Sequence, residues 1–154
     1  MEDKLTRPAE EWHLHLLEHP SQLAKMLSSV HRIAVIGIKP EHVGGPAFYV
    51  PEYLQAAGYE IIPVPVYYPD VTEILHATVH RSLSSVTRPI DLVLLFRRSG
   101  DVGQHGAEIL AARPRAVWMQ LGIQDVELAE TLAKAGIDVV QNRCAMIEHR
   151  NARH

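Results

Sequence analysis

Cysteine is nearly missing from this chain: its 154 residues hold one, Cys144. A lone thiol cannot close an internal disulfide, which fits a reducing compartment. Aromatic residues are scarce at 6%, with two Trp and two Phe, so the core must be built from aliphatic side chains. No apolar run reaches the length of a membrane span, and the opening Met1-Glu2-Asp3-Lys4 lacks a secretory pattern. These absences predict a cytoplasmic protein with no membrane partner. Positive charge is not in excess either: 15 Lys and Arg against 18 Asp and Glu give a net charge of −3. That balance argues against a general nucleic-acid binder, which needs clustered cations to neutralise phosphates. Any anionic ligand must be met by a few local groups.

The composition that is present, 47% hydrophobic and evenly spread, suits one domain over residues 1–154, large enough to bury a core without metals. Its most informative stretch runs from Arg32 to Pro46. Ile33-Ala34-Val35-Ile36 is a short apolar run with β-branched residues, as a strand buried on both faces requires. Gly37 ends that strand. Gly44 and Gly45 let the backbone turn and approach a ligand closely, and Pro46 suits the first position of a helix. A strand, a glycine-bearing loop and a helix N-terminus make a cradle for phosphate from backbone groups alone.

The rest of the chain repeats the rhythm. Residues 8–30 read as two short helices broken at Pro20, with Ser21 as a cap and Leu23, Met26 and Leu27 as an apolar stripe. Ala47–Ala57 reads as a helix closed by Gly58, starting late or bending because Pro51 lies inside it. Tyr59–Val66 reads as a second strand that ends in a loop with Tyr67, Tyr68 and Pro69. Residues 71–88 read as irregular, with a short strand near Thr78–His80. Further strands are predicted at Ile90–Phe96, Ala116–Gln120 and Ile137–Gln141, and helices at 101–112 and Asp125–Ala135. This alternation implies an α/β fold: a doubly wound parallel sheet with right-handed crossovers and helices on both faces. Ligands of such sheets bind beyond the carboxyl ends of the strands.

Four chemistries compete for that end of the sheet. Nicotinamide-dependent hydride transfer would need GxGxxG and an acidic residue at the end of the second strand, and the chain has neither. The ten histidines, His13, His15 and His19 among them, show no metal-ligand spacing, so no metal is expected. Cys144 follows the last strand, and Arg143 beside it would favour thiolate, yet no His or Asp partner can be assigned. Arg97 and Arg98 follow a buried strand, where guanidinium groups suit either pairing with a phosphate or a solvated loop, and Lys39 in the first loop is a further candidate for phosphate. Tyr67 and Tyr68 suit stacking on an adenine or covering the sheet edge.

These stretches together resemble the small stand-alone coenzyme A-binding domain proteins, related to the CoA-binding domain of the succinyl-CoA synthetase alpha subunit. The likeness rests on Ile33–Gly37, Tyr49–Leu54, Gly58–Val64, Asp91–Arg98, Val117–Ile123 and Asn142–His149. It implies a Rossmann-like core over 31–150 behind a helical preface over 1–30. It further implies that the ADP portion of coenzyme A sits with its pyrophosphate at Gly37, Ile38, Lys39, Pro40, Gly45 and Pro46. Pro65, Val66 and Tyr67 would then lie near the ribose and its 3′-phosphate, and Phe96, Arg97 and Arg98 by the adenine. Met119, Gln120, Leu121 and Gly122 would face the pantetheine side, with Asn142, Arg143 and Cys144 completing the site. A 3′-phosphate would be repelled by a ribose-binding carboxylate, which accounts for its absence. The chain departs from the family at Ile38-Lys39, where small residues are usual, and at Val64-Pro65-Val66, where Val-Asn-Pro is usual. The expected role is a non-catalytic binder of CoA or acyl-CoA that acts as carrier, sensor or regulator. The alternatives are an enzyme acting on a CoA thioester in the same pocket and an interaction module without ligand affinity. The apolar stripe of the N-terminal helices calls for cover, either from the chain's own sheet or from a second copy in a homodimer; an unidentified protein partner is the other expected interaction.

Overall fold

The computed structural model describes residues 11–152. A 3-10 turn (Glu11–His15) leads to α1 (Pro20–Ser29), β1 (Arg32–Ile36), α2 (Pro46–Ala56) and β2 (Glu60–Val64). A small hairpin, β3 (Glu73–Ile74) and β4 (Ala77–Thr78), and a 3-10 turn at Leu83–Ser85 precede β5 (Leu92–Leu95). Then come α3 (Ser99–Val102), α4 (Gly106–Ala112), β6 (Ala116–Met119), α5 (Val126–Lys134), β7 (Asp138–Val140) and α6 (Ala145–Ala152). Five strands form one parallel sheet in the order β2-β1-β5-β6-β7. The chain moves outward from β1 to β2, then returns to place β5 on the other side of β1. That reversal puts the topological switch point between β1 and β5.

Alternation along each strand divides the core into two faces. Ile33 and Val35 of β1, Leu92 and Leu94 of β5, and Trp118 of β6 pack with Leu23 and Leu27 of α1 and Val50 and Leu54 of α2. Ala34, Ile36, Val93, Leu95, Val117 and Met119 pack on the opposite side with Val102, Ile109, Leu128 and Leu132 from α3, α4 and α5. This is the doubly wound arrangement expected from the sequence. The apolar stripe of α1 is covered by the chain's own sheet. Among the described residues, no helix is long and apolar enough to cross a membrane.

Several local expectations are corrected. Pro20 does not break a helix but starts one, and the cap is His19 rather than Ser21: its ring accepts from the Ser21 N–H while Gln22 reaches back to the His19 N–H. The first helix is only the 3-10 turn, and residues 8–10 lie outside the described residues. Pro51 neither delays nor divides α2. A proline leaves the carbonyl four residues earlier without its helical donor, and here the Lys39 N–H donates to that Ala47 carbonyl at 3.1 Å. The strand expected at Thr78–His80 lies earlier and pairs only with β3, while His80 N–H bonds to Pro63. The expected helix over 101–112 is two short helices joined by a 3-10 turn at Gly103–His105. Helix α6 was not anticipated at all.

Candidate functional site

The site starts from Gly37, at the switch point. Its N–H donates to the Val64 carbonyl (2.9 Å), and the Phe96 N–H donates to Ile36 (2.9 Å), so three strand ends meet at one glycine. Gly37 has φ +88°, and a Cβ there would lie 2.1 Å from the Phe96 carbonyl oxygen. No other residue fits this crossing. Beyond it opens a cleft of about 820 Å³, bounded by the loops that follow β1, β2, β5, β6 and β7.

The first loop places Lys39 at the cleft with its side chain exposed, and Ile38, which also lines the cleft, is otherwise buried in the core on the α2 side. Gly44 and Gly45 both have positive φ (+71° and +79°), and Gly45 caps α2 without any side-chain hydrogen bond. Pro46 has no N–H to give, and the Phe48 and Tyr49 N–H groups return to the Gly45 carbonyl at 2.9 Å. The N–H groups of Gly45 and Ala47 have no partner among the described residues. Two free donors at a helix N-terminus, with Lys39 beside them, form an electropositive edge suited to an anion.

Arg97 and Arg98 face the cleft from the end of β5. Arg98 is bound to Asp101 at 3.1 Å with its side chain largely in solvent. Arg97 is held from behind: its Nε donates to His105 Nε2 at 3.2 Å. His105 therefore carries its proton on Nδ1 and donates it to Glu108 at 2.7 Å, while Glu108 also accepts from the Leu83 N–H. This chain fixes the Arg97 stem and leaves its two terminal nitrogens unpartnered among the described residues. The lining thus holds three cations, Lys39, Arg97 and Arg98, and one carboxylate, Asp101.

Val66 and Tyr67 line the cleft after β2, joined by Tyr68, whose φ of +67° is unusual for a bulky residue. Arg81 holds this loop, donating to the carbonyls of Tyr67, Tyr68, Pro69 and Val71. Gln120, Leu121 and Gly122 line it after β6, and Cys144 after β7. Five expected residues lie elsewhere. Pro40 and Pro65 are buried, and Pro40 shapes its loop by accepting from the Val43 and Gly44 N–H groups. Met119 belongs to the core of the opposite face. The Asn142 side chain accepts from the Gly122 N–H at 2.7 Å and so fixes the neighbouring loop. The Arg143 guanidinium is engaged by the Glu18 carbonyl and the Glu148 carboxylate rather than by the thiol next in sequence.

Sequence reasoning missed Ala47, Tyr49 and Val50 on the first two turns of α2, Asp101, Ile123, and Met146 and Ile147 of α6. Tyr49 and Ile147 are exposed apolar residues, a signal visible only once their helices are placed. His15 pairs with Asp138 at 2.7 Å and His19 caps α1, and no cluster of three or more His, Cys, Asp or Glu is placed for a metal among the described residues.

A parallel β2-β1-β5-β6-β7 sheet wrapped by helices, with its cleft at the carboxyl ends of the strands, defines a Rossmann-like α/β domain. The match of residues 31–150 to the CoA binding domain model makes this chain a member of that family. It is 31% identical to the YneT protein of Bacillus subtilis (strain 168), covering 86% of this chain and 97% of that one. Among solved structures it is similar to the Thermus thermophilus protein cell-free ID.343, with a TM-score of 0.79 and 36% identity, over 88% of this chain and 99% of that one. A hypothetical protein from Pyrococcus horikoshii OT3 is also similar, with a TM-score of 0.80 and 25% identity, over 89% of this chain and 94% of that one.

Proposed function

We propose that the protein reversibly binds coenzyme A, free or acylated, through its ADP portion and serves as a carrier, sensor or regulator. The observation that carries this reading is the mismatch of charge in the cleft. Three cations and two free helix N-terminal amides face it, while the loop after β2, where a ribose-binding carboxylate would sit, supplies Val66, Tyr67 and Tyr68. A ligand with several phosphates and no need of a carboxylate partner fits that surface. Membership of the CoA binding domain family supports the choice of CoA among such ligands. Exposed Tyr67 and half-buried Phe96 offer apolar faces for the adenine.

The non-catalytic role is supported by the surroundings of Cys144. Among the described residues, no histidine lines the cleft, and its one carboxylate, Asp101, is engaged by Arg98. A thiol acting as nucleophile needs a base to take its proton.

Calorimetric titration with CoA, dephospho-CoA, NAD and ATP tests the reading. Micromolar CoA binding that weakens without the 3′-phosphate is the expected result. Heat from NAD or ATP and none from CoA overturns it, and silence from all four points to an interaction module.

A further inference from the structure

Gln120 follows β6 on the same face as Trp118 and is 4% exposed. Buried amides normally satisfy both ends of the side chain. Here only one end is satisfied. The Ala145 N–H, at the start of α6, donates to Gln120 Oε1 at 3.2 Å. Because a backbone N–H can only donate, this contact fixes which end of the amide is oxygen. The planar group then turns Nε2 the other way, and Nε2 has no hydrogen-bond partner among the described residues. Nor is that nitrogen sealed in the core. Its outlet is the cleft that Gln120 lines.

The backbone of Gln120 adds to this constraint, since its N–H donates to Leu95 and its carbonyl accepts from Ile123. Every polar group of the residue except Nε2 is thus committed to β5, to the turn after β6 or to α6. A rigid, nearly buried donor with no protein acceptor discriminates strongly, because a ligand that fails to pair with it leaves it desolvated and unsatisfied.

We infer that Gln120 is a specificity residue that donates from Nε2 to a carbonyl oxygen on the non-nucleotide tail of the bound ligand. The inference rests on the CoA reading above. The tail of CoA carries two amide carbonyls, and an acyl-CoA adds that of the thioester. Gln120 would thus distinguish a nucleotide bearing such a tail from the bare nucleotide, a task that the cations of the cleft, which pair with phosphate, cannot perform.

The test is titration of the wild-type, Gln120→Glu and Gln120→Met proteins with CoA, acetyl-CoA and 3′,5′-ADP. Glu keeps an acceptor for the Ala145 N–H and removes the donor. Met removes both without adding charge, and circular dichroism melting identifies any variant that fails to fold. In both variants CoA affinity should fall about tenfold, the effect of roughly one hydrogen bond to a buried donor. Affinity for 3′,5′-ADP should stay within about twofold of wild type. A larger loss for acetyl-CoA than for CoA assigns the acceptor to the thioester carbonyl. Equal losses for CoA and 3′,5′-ADP, or no loss for either, overturn the inference while leaving the CoA reading intact. Wild-type protein that binds neither nucleotide ends both.

Discussion

At the amino end of the sheet, polar groups meet one another. The Asp91 carboxylate accepts from the backbone N–H groups of His31 (2.8 Å) and Arg32 (2.9 Å), and Arg115 reaches the Ser29 carbonyl at 2.6 Å. Arg32 lies 3.3 Å from Glu60, and His15 pairs with Asp138. At the carboxyl end the Gly45 and Ala47 amides, the Arg97 terminal nitrogens and the Gln120 amide nitrogen are left without acceptors among the described residues. All of these are donors. One end is closed by pairs that stabilise the fold, and the other is a surface of donors around a cleft. A domain that only needed to fold would have no use for that asymmetry, because each unpaired donor forgoes about 1 kcal/mol of net hydrogen bonding.

The largest expected effect comes from breaking the crossing at which the two ends part. Gly37→Ala sets a Cβ 2.1 Å from the Phe96 carbonyl oxygen at a φ of +88°. Strain and overlap together should cost on the order of 3 kcal/mol, read by urea denaturation, and CoA should no longer bind. Wild-type stability in the Gly37→Ala protein would remove Gly37 from its place in the fold.

Arg97→Ala is expected to lower CoA affinity by about 1.5–3 kcal/mol, the range for a charge-assisted hydrogen bond, with little change in stability. Calorimetry at two salt concentrations checks it, and the slope against salt should flatten. If stability falls and affinity holds, Arg97 belongs with the structural pairs of the opposite end.

Asp91→Asn probes the amino end and should do the reverse. Burial alone would raise the Asp91 carboxyl, but the hydrogen bonds from Arg32 and His31 and the charges of Arg115 and Arg32 outweigh it, so its pKa lies below the ordinary value. A depressed folded pKa contributes stability that is present above the unfolded pKa, near 4, and is lost as pH falls through the folded value. The Asp91→Asn protein should lose about 1–2 kcal/mol at neutral pH and show a flatter acid limb in melts taken below about pH 4, with unchanged CoA affinity. The smallest effect is expected of Lys39→Ala. An exposed cation contributes about 0.5–1 kcal/mol to an anion's binding, and the loss should vanish at high salt.

Much of this was legible in the chain. Ile33–Ile36 and Leu92–Leu95 announce buried strands, and their alternation with helical segments leaves few topologies besides a parallel doubly wound sheet. The cleft's loops follow, because ligands of such sheets meet the carboxyl ends of the strands. Errors arose where a side chain or backbone group finds its partner far along the chain. The Ala47 carbonyl left free by Pro51 is taken by Lys39, so α2 starts on time. Arg143 turns to Glu18, 125 residues away, and so leaves the site that its position suggested. Helix α6 has a mixed polar sequence and is held by contacts rather than by periodicity: Gln120 meets its first N–H and Tyr53 bonds to His149.

What the sequence determined by itself is the fold and the end of the sheet at which the cleft lies, since both follow from local patterns: apolar strand runs, glycines at strand ends and helices between them. Tertiary structure alone decided which donors in that cleft remain free. Whether Arg97 faces inward depends on His105 and Glu108 behind it, and whether the Gln120 amide nitrogen is spare depends on Ala145 claiming its oxygen. A hydrogen bond is satisfied or left open by the position of its partner in space, and no single residue's chemistry records that position.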